Sequence, residues 1–360
     1  MPKLARVLIM AGGTGGHIFP GLAIAKKLRA EGVDVNWLGT QQGVEAQWVP
    51  EAGIPIHFIS ISGVRGKGIK DQVLAPWRIM VALFQSIFII RKLKPDVVIG
   101  LGGFVSGPGG LACWILGTQL VIHEQNAKPG STNKLLSKIA NRILEAFPGT
   151  FKQRRNVYTV GNPVRAEILR LPPPDQRFNH GEPIQRLLVL GGSLGAQAIN
   201  LLLPKALATL PEGMRPAILH QTGEKHGADT QKAYELAGVK GEIVPFIVEM
   251  DKAYSWADMV LCRAGALTIA ELCAVGLGAI LVPFPYAIDD HQTANAQFMA
   301  KQRAAIVVQQ ADLTMERLAN LLEKVVGSSA ECVKMAKAAY TLREADSTDK
   351  IITICKEIYQ

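Results

Sequence analysis

Residues 6–17, with the sequence RVLIMAGGTGGH, decide how this chain of 360 residues folds. Arg6–Ala11 is an apolar run typical of a buried strand, and Gly12–His17 is a glycine turn that leads into the helical pattern of Leu22–Leu28. A strand, a glycine turn and a helix N-terminus in succession form an anion site, because free backbone N–H groups and the helix dipole point at the ligand. The stretch therefore predicts an α/β unit with an anion site at the end of its first strand.

The same arrangement occurs again in the second half of the chain. Leu187–Leu190 leads into the turn Gly191–Ala196 and then into the helical pattern of Ile199–Leu207. Strand-like runs alternate with helical patterns along the whole chain. The predicted strands are Arg6–Met10, Val35–Leu38, Ile56–Ile61, Val97–Gly100, Leu120–His123, Arg142–Ala146, Val157–Val160, Arg186–Leu190, Ala217–Gln221, Glu242–Val244, Met259–Cys262, Ala279–Val282 and Ala304–Val308. This alternation predicts two Rossmann-like α/β domains with parallel sheets that face a cleft.

A turn signal separates the two halves. Gly161, Asn162 and Pro163 follow the last strand of the first half, and a proline run at Pro172–Pro174 comes soon after. We therefore predict an N-terminal domain over residues 1–163 and a C-terminal domain over residues 164–340. The last segment, residues 341–360, is predicted to be a helix that can pack back on the first domain.

The composition excludes several classes of protein. Hydrophobic residues make up 48% of the chain and charged residues 19%, which is too apolar for a disordered protein. The five cysteines are widely spaced and form no CxxC pair, so a disulfide framework and a zinc site are not expected. Arg78, Gln85 and Ser86 interrupt the most apolar segment, Ala75–Ile90, which is too short to span a bilayer. With no recognisable signal peptide, the sequence predicts a soluble or peripheral, cytoplasmic protein.

Positive charge is concentrated in the first half. Residues 1–165 contain 20 Lys and Arg residues and 8 Asp and Glu residues. Within Val64–Lys94, seven cations interleave with large apolar side chains. This pattern fits binding to an anionic membrane surface, and it also fits a core helix with a solvated basic face. Nucleic acid is not an expected partner, because no nucleic-acid-binding motif accompanies the charge.

Two nucleotide-binding classes are excluded by the details of the glycine turns. Neither turn matches GxGxxG, and the second strand ends at Gly39-Thr40 without an acidic residue for a ribose, which opposes a dinucleotide dehydrogenase. A P-loop is excluded because GxxxxGK[ST] does not occur. Two glycine-turn domains in tandem instead fit a nucleotide in one domain and its reaction partner in the other.

Six motifs, including the two glycine turns, are specific when they are taken together. They are Gly12–His17 followed by Phe19–Ala23, Gly102–Pro108, His123–Asn126, Gly161–Arg165, Gly191–Ala196, and Cys262–Thr268 leading to Glu271. In this order, over residues 6 to about 310, they resemble the MurG family of peptidoglycan N-acetylglucosaminyltransferases. The resemblance implies the two-domain glycosyltransferase B fold and an enzyme that needs no cofactor. It implies an inverting transfer of N-acetylglucosamine from UDP-N-acetylglucosamine to the C4 hydroxyl of lipid I, which forms lipid II.

The resemblance also implies where and how the enzyme works. Its place would be the cytoplasmic face of the bacterial inner membrane, as a peripheral protein in cell-wall synthesis, cell shape and cell division. The family acts without a metal, and this sequence agrees in lacking an Asp-x-Asp motif. Arg165 and backbone donors would then neutralise the departing UDP.

In the first domain the resemblance marks one catalytic candidate and four donor contacts. His17 matches the general base on the acceptor hydroxyl, a task that suits an imidazole with an ordinary pKa of ~6.5. A histidine at a helix N-terminus could instead bind the acceptor's phosphate. Thr14, Gly15 and Gly16 match donor-contacting residues, and Asn126 matches a contact to the donor's sugar.

In the second domain the resemblance marks the nucleotide site. Arg165 and Ser193 match diphosphate contacts, and Glu271 matches the acceptor of hydrogen bonds from both ribose hydroxyls. The backbone of Ile247 would read the uracil, with Met250 nearby, and Gln292 matches a carboxamide against the donor sugar. The remaining matched positions precede Glu271 and are Ala266, Leu267, Thr268, Ile269 and Ala270. The adjacent Asp289, Asp290 and His291 are weak candidates for a metal site, because they are contiguous in a loop.

Two other functions remain open from the sequence. A UDP-N-acetylglucosamine epimerase would use the same architecture, although it has no need of a basic apolar segment such as Val64–Lys94. A membrane-surface scaffold with a regulatory nucleotide is the alternative that is not an enzyme. The presence of His17, Arg165, Glu271 and Gln292 argues against a degenerate site.

Overall fold

The computed structural model describes residues 4–61, 69–178, 185–192, 195–326 and 329–359. Over residues 69–74 and at Ile288 only the backbone is described. The chain divides into two compact units, which we call unit 1 (Met1–Val164 with Asp346–Gln360) and unit 2 (Arg165–Ala345).

Unit 1 is built on a parallel sheet of seven strands in the order β3-β2-β1-β4-β5-β6-β7. The strands are β1 (Arg6–Met10), β2 (Asp34–Gly39), β3 (Ile56–Phe58), β4 (Val97–Gly100), β5 (Gln119–Glu124), β6 (Arg142–Glu145) and β7 (Val157–Thr159). The helices between them are α1 (Gly15–Ala30), α2 (Glu45–Glu51), α3 (Ile69–Leu93), α4 (Gly103–Leu116) and α5 (Ser131–Leu136). Side chains of β1 alternate between two buried clusters, with Val7 and Ile9 in one and Leu8 and Met10 in the other. Both faces of the sheet are therefore covered, as a parallel sheet requires.

Unit 2 repeats the design with six parallel strands in the order β10-β9-β8-β11-β12-β13. The strands are β8 (Arg186–Leu190), β9 (Ala217–Gln221), β10 (Glu242–Val244), β11 (Met259–Cys262), β12 (Ala279–Leu281) and β13 (Ala305–Val307). The helices are α6 (Ala166–Leu169), α7 (Pro174–Arg177), α8 (Gln197–Ala208), α9 (Gly227–Ala237), α10 (Met250–Trp256), α11 (Ala266–Val275), α12 (His291–Ala300), α13 (Met315–Val326) and α14 (Ser329–Tyr340). The prediction of two Rossmann-like units with parallel sheets is confirmed.

The last helix, α15 (Ser347–Tyr359), belongs to unit 1 although it follows unit 2 in sequence. Its Ile351 and Cys355 are fully buried in the same cluster as Val7 and Ile24. Two ion pairs tie it to α1, Lys27–Asp349 at 2.9 Å and Lys356–Glu31 at 2.7 Å. These pairs are exposed and add little stability, so the apolar contacts hold the helix in place.

Two further features bear on the sequence predictions. Among the helices of the described ranges, none has the length and apolar composition needed to cross a membrane. All five cysteines are buried as free thiols, and burial raises the pKa of each to about 12. They act as small apolar core residues at neutral pH.

Candidate functional site

The strand order of unit 1 reverses direction between β1 and β4, which are neighbours in the sheet. In open α/β sheets ligands bind at the carboxyl ends of the strands at such a switch point. The turn after β1 contains Gly13 at φ 100°, and the turn after β4 contains Gly102 at φ 100° and Gly103 at φ 77°. An added Cβ at Gly103 would lie 2.3 Å from the carbonyl oxygen of Gly12, so the two turns pack directly against each other. Glycine is favoured at all three positions because side chains rarely adopt these positive φ angles, and at Gly103 there is also no room for a side chain.

The predicted donor contacts of unit 1 lie at the start of α1. The helix begins at Gly15, and Thr14 precedes it in an extended conformation without a side-chain cap bond. Thr14 and Gly16 are exposed and Gly15 is half-buried. The first N–H groups of a helix have no partner within the helix, so this turn can bind an anion or a sugar oxygen.

His17 lies in the first turn of α1 and is half-buried. Its Nδ1 is 3.2 Å from Oε1 of Gln125, which follows β5. An added Cβ at Gly102 would lie 3.2 Å from Cε1 of the imidazole, so the ring packs closely against this turn. The carboxyl ends of β1, β4 and β5 therefore fix the position of the ring.

His123 and Gln125 continue this contact into the protein interior. Gln125 places its Nε2 3.2 Å from Nδ1 of His123, and Nε2 of His123 lies 2.9 Å from the carbonyl oxygen of Gly161. Both side chains are buried. Burial lowers the pKa of His123, chiefly through desolvation, so the ring is neutral at pH 7.

Asn126, the predicted sugar contact, is half-buried at the end of β5. Its Nδ2 donates to Oε1 of Glu124 at 3.2 Å, and its backbone N–H donates to the same oxygen at 3.0 Å. The other carboxylate oxygen accepts from the N–H of Gly130 and from Asn133, each at 3.0 Å. Glu124 thus organises the loop that presents Asn126.

Two further buried carboxylates organise loops of unit 1 and were missed by the sequence reasoning. Glu45 accepts from the N–H of Gly13 at 3.1 Å and from the hydroxyl of Thr40 at 2.7 Å. Glu145 accepts from the N–H groups of Gly149 at 3.0 Å and of Phe151 at 2.9 Å. Glu45 is the first residue of α2 and Glu145 is the last residue of β6. A single sequence does not reveal that an acidic residue at such a position is buried and bonded to backbone N–H groups.

In unit 2 the structure brings Arg165 and Glu271 together. Nη2 of Arg165 donates to Oε1 of Glu271 at 3.0 Å, and the hydroxyl of Tyr254 donates to Oε2 at 2.9 Å. The Glu271 side chain is 15% exposed, whereas Tyr254 is fully buried. Tyr254 was not among the predicted site residues, because a tyrosine in α10 looks like an ordinary core residue from sequence.

Burial and charge act in opposite directions on this carboxylate. Desolvation raises the pKa of Glu271, while the guanidinium of Arg165 and the two hydrogen bonds lower it, and the net direction is upward. Desolvation, and the charge on Glu271 after it, raise the pKa of Tyr254 well above its ordinary range. The tyrosine therefore stays protonated and donates to the carboxylate.

The matched positions before Glu271 form the first turns of α11, which begins at Ala266 after the extended Gly265. Leu267, Thr268 and Ala270 are half-buried, whereas the side chain of Ile269 is completely buried. Ile269 can therefore meet a ligand only through its backbone. The N-terminus of this helix is a second place where backbone donors and the helix dipole favour an anion.

The glycine turn after β8 is described only in part, and Ser193, a predicted diphosphate contact, lies outside the described residues. Gly195 has φ 78°, and an added Cβ there would lie 2.1 Å from the carbonyl oxygen of Thr222. A buried chain of side chains supports that carbonyl, because Nδ2 of Asn200 donates to it at 3.0 Å. His220 is bonded to Oδ1 of Asn200 at 3.0 Å.

Two remaining predicted contacts of unit 2 are held by neighbours. The backbone N–H of Ile247 donates to Oε1 of Gln221 at 3.2 Å. Oε1 of Gln292 accepts from the N–H of Phe284 at 2.9 Å, which ties the start of α12 to the loop after β12. Arg263 holds the same loop, since its Nη1 donates to the carbonyls of Val282 and Pro283 at 3.1 and 3.2 Å.

The loop around Asp289 and Asp290 is the weak candidate for a metal site. Within the described ranges, no group of three or more His, Cys, Asp or Glu side chains is arranged to hold a metal ion. Asp289 and Asp290 have positive φ angles of 55° and 53°, which is the conformation of a tight turn. Metal independence stays a prediction.

Comparison with known proteins adds three findings. Residues 7–145 match the N-terminal domain of glycosyltransferase family 28, and residues 186–351 match the C-terminal domain of that family. A UDP-N-acetylglucosamine–N-acetylmuramyl-(pentapeptide) pyrophosphoryl-undecaprenol N-acetylglucosamine transferase of Marinobacter nauticus is 50% identical over 352 residues, which are 98% of this chain and 97% of that protein. The crystal structure of MurG from Acinetobacter baumannii superimposes with a TM-score of 0.84 at 41% identity, covering 98% of this chain and 99% of that one.

The same fold also occurs in an epimerase. The crystal structure of a protein from Listeria monocytogenes, described as a putative UDP-N-acetylglucosamine 2-epimerase, has a TM-score of 0.69 at 14% identity, covering 99% of this chain and 97% of that one. At that identity the likeness concerns the fold alone. The architecture therefore does not separate a transferase from an epimerase, whereas the sequence identity to the two transferases does.

Proposed function

The chain belongs to glycosyltransferase family 28, and we propose that it transfers N-acetylglucosamine from UDP-N-acetylglucosamine to the C4 hydroxyl of lipid I, forming lipid II. The observation that carries this proposal is the 50% identity, over 98% of the chain, to a relative named for the same transfer. The chain is thereby a hexosyltransferase of peptidoglycan synthesis, and its product serves cell-wall growth, cell shape and cell division.

His17 is the proposed general base of this reaction. The acceptor hydroxyl loses its proton to the imidazole as its oxygen forms a bond to the anomeric carbon of the donor. The bond from that carbon to the diphosphate breaks, and the electron pair leaves with UDP. Attack from the face opposite to UDP inverts the anomeric configuration. A neutral imidazole within a turn of α1 has the lone pair that this step needs.

Arg165 and Glu271 are proposed to hold the nucleotide. A carboxylate has about four lone-pair sites, and Glu271 uses one for Arg165 and one for Tyr254, which leaves acceptors for both ribose hydroxyls. A guanidinium has five N–H donors, so Arg165 can keep its bond to Glu271 and donate others to the diphosphate. One arginine would thus join the ribose site to the diphosphate site.

The other predicted donor contacts belong to the same proposal. Thr14, Gly15, Gly16 and Asn126 in unit 1 are proposed to contact the donor, as are Ser193, Ile247 and Gln292 in unit 2. Ala266, Leu267, Thr268, Ile269 and Ala270 would act through the N-terminal turns of α11. Helix N-termini and Arg165 supply the positive potential for the departing UDP, so the reaction is proposed to need no metal.

An anionic membrane surface is the proposed docking partner of unit 1. Trp77, Met80, Phe84 and Phe88 follow a spacing of three and four residues along α3, which places them on one helix face, and they are 64%, 47%, 66% and 68% exposed. Trp114, on the neighbouring helix α4, is 61% exposed. We call these five residues the apolar patch. Monomeric soluble proteins rarely expose so many large apolar groups together.

The basic residues of the same helix complement this patch. Arg91 and Lys92 lie in the last turn of α3, Lys94 follows directly, and all three are exposed. Apolar groups beside cations suit the boundary of an anionic bilayer. The acceptor's lipid chain resides in that bilayer while the donor is water-soluble, so we place the enzyme as a peripheral protein on the cytoplasmic face of the plasma membrane. Nucleic acid has no place in this proposal.

A single assay tests the proposed reaction against its alternatives. The protein is incubated with UDP-N-acetylglucosamine, with and without a short-chain lipid I analogue, and UDP and the sugar products are separated by chromatography. We expect UDP release that depends on the analogue, with transfer of one sugar to it. Conversion of the donor to its mannosamine epimer would identify an epimerase. No change in either mixture would identify a binding protein.

A further inference from the structure

A chain of hydrogen bonds leads from His17 to a backbone carbonyl in the interior of unit 1. It runs from Nδ1 of His17 to Oε1 of Gln125 at 3.2 Å and from Nε2 of Gln125 to Nδ1 of His123 at 3.2 Å. It ends with Nε2 of His123 at 2.9 Å from the carbonyl oxygen of Gly161. His123 is 0% exposed and Gln125 is 1% exposed, so the inner part of this chain is shielded from water.

The direction of each hydrogen bond follows from its inner end. A carbonyl oxygen can only accept, so Nε2 of His123 carries the hydrogen that is shared with Gly161. Burial keeps His123 neutral, and a neutral imidazole has one N–H only. Nδ1 of His123 is therefore an acceptor, and Gln125 must present its N–H₂ group to it.

The orientation of Gln125 then determines the proton on His17. With its N–H₂ group on His123, the amide turns its oxygen towards Nδ1 of His17. An amide oxygen can only accept, so Nδ1 of His17 carries the hydrogen. Nε2 is left as the nitrogen with the lone pair. The orientation of the Gln125 amide thus follows from its partners: His123 requires a donor from it, and its oxygen is left to face His17.

We propose that Gln125 and His123 are positioning residues that hold His17 in the Nδ1–H tautomer, so that Nε2 is the nitrogen that takes the acceptor's proton. This inference rests on the proposed function, in which His17 is the general base. Tautomer control of this kind matters in other enzymes: the wrong histidine tautomer in a serine hydrolase triad costs about 10⁴-fold in kcat.

The amide suits both protonation states of His17. When Nε2 takes the proton, the imidazolium still donates from Nδ1, and Oε1 of Gln125 still accepts. No group in the chain has to rotate during the step, which is the preorganisation that favours a fast proton transfer. Gly102 also helps to position the ring. Because it has no side chain, the His17 ring can lie directly against the turn after β4.

The tautomer is measurable without any turnover. The protein contains seven histidines, so selective ¹⁵N labelling gives a small set of imidazole signals, and a His17→Gln variant identifies those of His17. At pH 8 we expect the chemical shifts of a protonated Nδ1 and an unprotonated Nε2. The opposite pattern in the unmodified protein would overturn the proposal, and the His17→Gln variant serves only to assign the signals.

Variants then test the role of Gln125. Gln125→Met keeps the size of the side chain but removes the hydrogen bonds to His17 and to Nδ1 of His123, so His17 should populate both tautomers. We expect kcat to fall about 10- to 100-fold, which is less than the full rate contribution of a general base. The KM for the donor should change little. Gln125→Glu restores an oxygen towards His17 and should recover the Nδ1–H signal. Gln119→Met, at the other end of β5, is the matched control and should leave both the signal and kcat unchanged.

The outcomes separate the two proposals. An unchanged tautomer pattern and an unchanged kcat in Gln125→Met would refute the positioning role, whatever His17 does. If His17→Ala retained its turnover while the Nδ1–H pattern was observed, the general-base assignment would be wrong and the tautomer assignment would stand.

Discussion

Units 1 and 2 both contain a chain of hydrogen-bonded side chains beneath the carboxyl ends of their strands. In unit 2 the hydroxyl of Tyr234 lies 3.1 Å from Nδ1 of His220, Nε2 of His220 lies 3.0 Å from Oδ1 of Asn200, and Asn200 donates to the carbonyl of Thr222 at 3.0 Å. In unit 1 the corresponding chain runs from His17 through Gln125 and His123 to the carbonyl of Gly161. Each chain joins a histidine and an amide, and each ends on a backbone carbonyl near a glycine turn.

The two chains differ at their outer ends. In unit 2 the chain begins at Tyr234, which is 1% exposed, so it can only hold the loop against which Gly195 packs. In unit 1 it begins at His17, which is half-buried and therefore accessible. A similar chain of hydrogen bonds thus supports a loop in unit 2 and can position a proton-accepting histidine in unit 1. Accessibility of the terminal group makes the difference.

The largest expected effect follows from removing the accessible end. His17→Ala should lower turnover at saturating substrates by about 10²–10⁴-fold, the usual contribution of a general base. Donor affinity should change little, because the proposed ribose and diphosphate contacts Arg165, Ser193 and Glu271 belong to unit 2. Steady-state kinetics at varied donor and acceptor give both quantities.

His57 provides the matched control for this variant. It is a half-buried histidine of unit 1 that is bonded to Asn36 at 3.1 Å, and His57→Ala should leave turnover near normal. The competing role for His17 is a cationic anchor for the acceptor's phosphate. In that case His17→Ala would raise the acceptor KM and keep kcat nearly intact, and the general-base proposal would have to be withdrawn.

A second contrast between the units is their surface. Reversing Arg91, Lys92 and Lys94 to glutamate should weaken binding to anionic vesicles by roughly a hundredfold or more, because each cation near such a surface contributes about 1 kcal/mol. Phe84→Ser with Phe88→Ser should weaken the part of the binding that persists at high salt, since screening reduces only the charge attraction. Sedimentation with vesicles of defined anionic lipid content measures both.

The controls for the surface lie in unit 2. Reversing the exposed Lys205, Lys232 and Lys240 changes the net charge by the same amount, and Leu236→Ser removes a side chain that is 80% exposed. Neither control should alter vesicle binding. Equal losses for both sets of charge reversals would show that net charge, and not the position of Arg91, Lys92 and Lys94, drives the attraction. Equal losses for Phe84→Ser with Phe88→Ser and for Leu236→Ser would remove the assigned role of the apolar patch.

The buried chain of unit 2 predicts how stability depends on pH. Burial lowers the pKa of His220 from 6.5 to about 4, so below pH 6.5 the unfolded state binds a proton that the folded state excludes. The stabilising contribution is fully present above pH 6.5 and is lost as the pH falls towards 4. It amounts to about 3 kcal/mol, given about 1.4 kcal/mol for each pKa unit.

Urea unfolding monitored from pH 7.5 to 4.5 checks this prediction. His220→Gln should flatten the dependence, and any slope that remains should include His123, whose pKa burial also lowers. If that variant does not fold, the titration of the His220 ring protons by NMR gives the same information. An imidazole that titrates near pH 6.5 in the folded protein would contradict the buried neutral chain.

Glu271 is the carboxylate that pairs with Arg165 in the unit 2 site, and its removal should have a moderate effect. Glu271→Ala should lower UDP affinity about ten- to a hundredfold, because hydrogen bonds from the ribose hydroxyls to a charged group are worth about 1.5–3 kcal/mol. Tyr254→Phe removes one donor to the carboxylate and should have a smaller effect in the same direction. Calorimetric titration with UDP measures both affinities, and Glu323→Ala on α13 is the exposed control. An unchanged affinity in Glu271→Ala would remove this residue from the nucleotide site.

The sequence predicts much of the fold and little of the support around the site. Apolar runs such as Arg6–Met10 and glycine turns such as Gly12–His17 carry strong local signals, and all thirteen predicted strands occur in the structure. Six have the predicted ends, and the ends of the others differ by at most three residues. The family assignment from six ordered motifs is also confirmed. These features are local in sequence, which is why a single chain reveals them.

The roles of the supporting residues carry no such signal, even for Gln125, which lies within the motif His123–Asn126. Gln125 and Glu45 matter because of partners that are 108 and 32 residues away, and Tyr254 because its hydroxyl meets Glu271 from another helix. Such contacts depend on tertiary packing, and an acidic or amide residue has the same appearance in sequence whether it is buried or solvated. The sequence predicts that Arg165 and Glu271 contact the same nucleotide, but it does not predict the direct hydrogen bond between them.

The smallest effect on turnover is expected from removing divalent metals. This experiment concerns a further difference between the units, which is the use each makes of its buried carboxylates. Unit 1 fastens its loops with the buried carboxylates of Glu45, Glu124 and Glu145, whereas the unit 2 site has Glu271, which is already paired with Arg165. The carboxylate of Glu271 is bonded to Arg165 and Tyr254 and is assigned to the ribose, so the diphosphate is left to Arg165 and to backbone donors. Arg165 and the N-terminus of α11 should therefore stabilise the departing UDP directly, and turnover in EDTA should match turnover in magnesium when UDP is quantified by chromatography. Arg165→Met should slow both reactions equally, while Arg317→Met, an exposed arginine of the same unit, should slow neither. Loss of turnover in EDTA that magnesium or manganese restores would show that a cation does the work we assign to Arg165.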